Sequence, residues 1–132
     1  MSADLYWLTL TALVTALMWV PYILNRIAVR GLIGATGNPS PDAAPHAPWA
    51  ERAMLAHKNA VENLVIFGAV VLAANAAGAS GELTATAAMI VFFARIAHYA
   101  IYVAGLPFLR TLAFAAGAFA QIAIGLAVIG WL

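Results

Sequence analysis

Four long apolar stretches govern what this chain can fold into. A helix needs about 20 mostly apolar residues to cross the ~30 Å hydrocarbon core of a bilayer. Such stretches fall at about 5–25, 48–77, 83–104 and 108–131, which leaves almost nothing for a water-soluble body. Only 8% of the 132 residues are charged, where a soluble domain carries roughly 25%. The fold class predicted is therefore all-α: one domain over residues 1–132, an integral membrane four-helix bundle. The turns at 75–82 and 104–107 are short, and short turns make neighbouring helices antiparallel. The stretch GLIGATGNPSPDAAPHAP, residues 31–48, is rich enough in Gly and Pro to predict an irregular loop. The N-terminus is not expected to be a cleavable signal, because it lacks a basic segment and its apolar run is too long.

Composition also excludes some chemistry. Without cysteine there is no disulfide, thiolate nucleophile or Cys-zinc site, and no metal site is expected. A net charge of +1 gives no nucleic-acid footprint. Arg26, Arg30, Arg52 and Lys58 flank the first loop and Arg110 follows the third, while the 75–82 turn and both chain ends carry no Lys or Arg. The positive-inside rule then predicts a multi-pass protein, in a cell inner membrane, with loops one and three cytoplasmic and both termini on the other side.

Against this background the run ERAMLAHKNAVENLVIF, residues 51–67, is unusually polar. Helix two, at 1.5 Å per residue, would be about 45 Å long, so its cytoplasmic end projects. Glu62, about 22 Å from the far end on the same count, stays in hydrocarbon. At 100° per residue, Glu51, Leu55, Lys58, Asn59 and Glu62 share a face, and His57 points elsewhere. In FFARIAHYAIY on helix three, Arg95, His98, Tyr99 and Tyr102 share a face at similar depth. An arginine exposed to lipid there costs from about 2.5 to over 10 kcal/mol, so it must face protein or water. Arg110 follows Pro107, a residue suited to a helix's first turn. A cation there opposes the helix dipole unless an anion joins it.

Plainer readings exist for each of these residues. Arg26, Arg30 and Arg52 suit membrane-surface anchoring, and Tyr99 and Tyr102 suit an interfacial aromatic belt. Lys58–Glu62 with Arg95 would also serve as a structural ion pair between helices. Gln121, alone in helix four, suits a hydrogen bond to a neighbouring helix. The convergence of three helices, with cations in excess over one carboxylate, favours a ligand with more negative than positive groups.

ERAMLAHKNAVEN resembles the second-helix motif of the MAPEG family, the membrane-associated proteins of eicosanoid and glutathione metabolism. RIAHYAIYVAGLPFLR resembles that family's third-helix and third-loop motif, and the likeness spans essentially the whole chain. The resemblance implies a homotrimer that binds glutathione as cosubstrate between subunits near the cytoplasmic surface. Carried over by position, it implies glutathione contacts at Lys58, Asn59, Glu62, Arg95, His98 and Tyr102. Arg110 is similar to the catalytic arginine that holds the thiolate. Two positions depart from the pattern. Leu55 stands where glutathione-using members have arginine, and Phe114 where some have tyrosine. The missing charge-assisted bond at Leu55 is worth about 1.5–3 kcal/mol.

The function so implied is a glutathione-dependent transferase or peroxidase acting on lipophilic electrophiles in contact with membrane lipid. The alternative is a non-catalytic lipid-binding or scaffold trimer. A small four-helix exporter fits less well, because such exporters place a carboxylate within the first helix and Leu5–Leu24 has none.

Overall fold

A computed structural model describes residues 1–132. It contains five helices and no strands: α1 (Ala3–Leu17), α2 (Val20–Thr36), α3 (Pro48–Ala76), α4 (Glu82–Ala104) and α5 (Pro107–Val128). α1 and α2 are two limbs of one kinked element, so the chain has four helical units long and apolar enough to cross a membrane. Both termini and the α3–α4 turn lie at one end of the bundle, the terminal end. The first and third loops lie at the other, the basic end.

The kink at Met18–Trp19 follows from Pro21. Its ring clashes with the carbonyl of residue 17, and it has no N–H to donate there. Within the kink the Met18 carbonyl accepts a 2.9 Å hydrogen bond from the Tyr99 hydroxyl of α4. Tyr99 therefore pins the bend of the first span rather than joining the polar face expected for it. The threonines before the kink need no outside partner. Thr11 Oγ1 donates to the Trp7 carbonyl and Thr15 Oγ1 to the Thr11 carbonyl, each at 2.7 Å, so both hydroxyls are satisfied inside the helix.

Hydropathy ends the first helix near residue 25, but the helical structure runs further. α2 carries Arg26 and Arg30 on to Thr36, with one break at Gly31 (φ 71°), and the irregular loop shrinks to residues 37–47. That loop is tied down. Asn25 Oδ1 accepts from the Ala47 N–H at 3.0 Å, and Arg30 Nε donates to the Ala44 carbonyl at 2.8 Å. Arg26 Nε donates to His46 Nε2 at 3.1 Å, and His46 Nδ1 meets Glu51 Oε1 at 2.9 Å. Arg26 can only donate, so Nε2 is the acceptor and Nδ1–H faces Glu51. Arg26 and Arg30 thus bind their own loop as well as marking the basic end.

The apolar core fills the terminal half. Phe67, Val71 and Ala74 of α3 meet Ala87, Ala88 and Val91 of α4, and Ala120 and Ile124 of α5. Small side chains let membrane helices approach closely, and packing rather than water expulsion holds them. At the same end Asp4, 1% exposed, ties three elements together. Its Oδ1 accepts from Asn75 Nδ2 at 3.2 Å and its Oδ2 from Ser80 Oγ at 2.8 Å. Ser2 Oγ donates to Asn75 Oδ1 at 2.7 Å.

Candidate functional site

One helical turn beyond the apolar core, towards the basic end, the interior becomes polar. Arg95 of α4 is 3% exposed. Its Nη1 donates to Asn59 Oδ1 of α3 at 3.1 Å, and its Nη2 to the Phe114 carbonyl of α5 at 3.2 Å. Its guanidinium carbon lies 5.4 Å from the Phe114 ring centroid. One side chain therefore links three helices. It fits because α5 has Gly117 beneath it: a Cβ at that position would stand 2.6 Å from Arg95 Nη2.

Around this link the aromatic and amide groups gather. His98, also buried, packs edge-on to Tyr102 at 5.6 Å between ring centroids and lies 6.2 Å from the Phe114 ring. The Arg110 guanidinium sits 4.1 Å over the Tyr102 ring, a cation–π contact. Asn63 Nδ2 donates to the Asn59 carbonyl at 2.9 Å, and Gln121 Nε2 to Asn63 Oδ1 at 3.3 Å. Gln121 thus makes the interhelical bond expected of it.

The structure brings Asn59, Arg95, His98, Tyr102 and Arg110 together. It does not bring Lys58 and Glu62 to them. Both are exposed on the outer face of α3, and neither meets an oppositely charged side chain; the one acidic–basic contact in the chain is His46 Nδ1 to Glu51 Oε1. The structural ion pair that would join Lys58, Glu62 and Arg95 is therefore absent within one chain, and Arg95 takes a neutral amide instead. The outward face has a regular pattern. Glu51, Leu55, Lys58, Glu62, Val65, Ala69, Leu72 and Ala76 are all exposed, at alternating intervals of four and three residues.

Arg52 also departs from its expected role as a surface anchor. Its Nε donates to the Val103 carbonyl at 3.0 Å, capping the negative end of α4. Its guanidinium lies against Gly105, whose φ of +80° is the left-handed geometry that ends a helix and suits glycine. Arg52 thereby holds the turn that leads through Pro107 to Arg110. The contributions of Gly117 and of the Phe114 carbonyl left no mark in residue chemistry. One is an absent side chain and the other is backbone.

Four apolar helical units with buried polar groups between them define an integral, multi-pass membrane protein. A family model described as the MAPEG family matches residues 5–130, nearly the whole chain, and the protein belongs to that family. Among curated proteins no match was found.

Proposed function

We propose that this protein is a glutathione-dependent transferase or peroxidase for lipophilic electrophiles, working as a homotrimer in a cell inner membrane with both termini on the non-cytoplasmic side. The observation that carries this reading is the outward placement of Lys58 and Glu62. Both are charged, exposed and unpaired on a helix that is otherwise largely apolar. Charge in that setting needs a partner or a polar ligand. The four–three spacing of the exposed face is that of a helix seam between copies, which would set Lys58 and Glu62 at a junction of subunits.

Glutathione suits the donor set. It carries two carboxylates, one ammonium and one thiol. Glu62 takes the ammonium, Lys58 a carboxylate, and Asn59, His98, Tyr102 and the unpartnered Arg95 Nε surround the remainder. Arg110 in the first turn of α5 stabilises the thiolate after its proton passes to water. The sulfur then attacks an electrophilic carbon, a C–S bond forms, and the leaving group departs with its electron pair.

Titration calorimetry in detergent tests this. Glutathione is expected to bind at or below millimolar concentration, and Glu62→Gln to weaken it at least fivefold. No binding at millimolar glutathione rejects the reading. The second reading, a non-catalytic lipid-binding or scaffold trimer, is favoured by one fact: both terminal nitrogens of Arg95 are already engaged within the chain.

A further inference from the structure

Alone among the five helices, α2 contains no buried residue. Side-chain hydrogen bonds hold it to the segment 44–57 instead. Tyr22 Oη meets His57 Nδ1 at 2.7 Å. Asn25 Oδ1 accepts from the Ala47 N–H, and Arg30 Nε donates to the Ala44 carbonyl. The fourth tie runs from Arg26 to His46, and it differs from the others in what a proton does to it.

His46 stands in the run APHAP, residues 44–48. Each proline fixes its own φ and holds the residue before it extended; Ala47, before Pro48, has φ −58° and ψ 148°. The His46 side chain is thus presented from a stiff stretch, and it is 5% exposed. Nε2 accepts from Arg26 at 3.1 Å, so it carries no proton, and Nδ1–H faces Glu51 at 2.9 Å.

Histidine is the side chain whose ordinary charge change falls between pH 5 and 8. Once protonated, both of its ring nitrogens donate. The Glu51 contact survives that change and becomes a charge-assisted bond. The Arg26 contact does not, because N–H then faces N–H and cation faces cation. Arg26 from α2 and Glu51 from α3 are the charged groups that touch the ring. Arg30 is turned to the Ala44 carbonyl, and the loop's Asp42 is engaged through its backbone N–H. The Tyr22–His57 tie is not broken in this way, since a protonated Nδ1 still donates to the phenol oxygen.

We propose that His46 is a pH-sensitive latch on the first loop. Neutral, it clasps α2 through Arg26. Protonated, it keeps Glu51 and releases Arg26, which loosens the loop 37–47 on α2. The latch involves no thiol and no ligand, so the inference goes beyond the glutathione reading and does not rest on it.

The test uses the full chain in phosphatidylcholine nanodiscs, whose headgroups do not titrate between pH 5 and 8. The chain has no cysteine, so one nitroxide attached through Ala44→Cys, at an exposed position, reports on the loop. The mobile fraction of its spectrum should rise at least twofold from pH 8 to pH 5, in a one-proton step. His46→Gln, whose Oε1 accepts from Arg26 at any pH, should remove the step and keep the loop immobile. Arg26→Met should leave the loop mobile at both pH values. Glu51→Gln, which removes the anion that favours the charged ring, should move the step to lower pH. His57→Gln should keep the step. Unchanged mobility between pH 8 and pH 5 overturns the inference. So does a step that persists in His46→Gln or vanishes in His57→Gln, an immobile loop in Arg26→Met at pH 8, or an unmoved step in Glu51→Gln. If His46→Gln fails to fold, Arg26→Met and Glu51→Gln still decide. No glutathione is present, so failure here leaves the titration untouched, and the reverse also holds.

Discussion

Asp4 and Arg95 are both ionisable, both buried and both central to a polar cluster, yet the two clusters differ in kind. Around Asp4 each carboxylate oxygen accepts from a side chain of another segment. Nothing is left over, and the cluster works as a staple at the terminal end. Around Arg95 the accounts stay open. Its Nε and Gln121 Oε1 have no partner, and the charged residues one face away, Lys58 and Glu62, point out of the chain. The closed cluster serves the fold of the chain itself. The open one has the form of a site that something else completes.

Four substitutions sharpen or break that contrast. Asp4→Ala should have the largest effect on stability. It removes two hydrogen bonds to a buried carboxylate, each worth about 1.5–3 kcal/mol, so unfolding in mixed detergent should show a loss of about 3 kcal/mol. Glutathione affinity per folded molecule should not move, and if it does, the terminal end is more than a staple. Arg110→Ala should do the opposite. Conjugation of a generic electrophile should slow about 100-fold, equivalent to about 2.7 kcal/mol of barrier, with the unfolding midpoint unchanged. An unfolded protein with an unchanged rate per molecule would make Arg110 structural.

Gly117→Ala comes next. Alanine favours a helix interior by about 1 kcal/mol, but its methyl group would collide with Arg95. A net loss of about 1–2 kcal/mol is expected from overpacking, measured by the same unfolding titration. Stabilisation would show that Arg95 moves aside freely. Arg52→Ala should be smallest, about 1 kcal/mol through the lost cap on α4, with hydrogen exchange rising at residues 103–106 before anywhere else.

Much of this molecule was legible in its residues, and the illegible part has a physical cause. Apolar length places the four spans, because a bilayer accepts little else. Helical periodicity groups Asn59 on one helix, and Arg95, His98 and Tyr102 on another, and these four do meet. It does not set how far a helix is rotated against its neighbours. That is why Lys58 and Glu62, grouped with Asn59 by angle, turn outward while Asn59 turns in. Tyr99 diverges from Arg95 for the same reason and finds the Met18 carbonyl. The kink before Pro21 lay outside that reading, because apolar length presents the first span as one helix while the proline breaks its hydrogen bonding. Asp4 beside Ser2 lay in an end that charge counting passes over, since the positive-inside rule weighs only Lys and Arg.

The glycine floor under Arg95 has a consequence for descent. An arginine at 95 and a side chain at 117 compete for one volume, so a change at either position alters what the other can accept. Among related chains the two positions should therefore covary, with bulk at 117 appearing where 95 has become small. Aligned relatives in which the pair varies independently would mean that the arginine elsewhere takes another path between the helices.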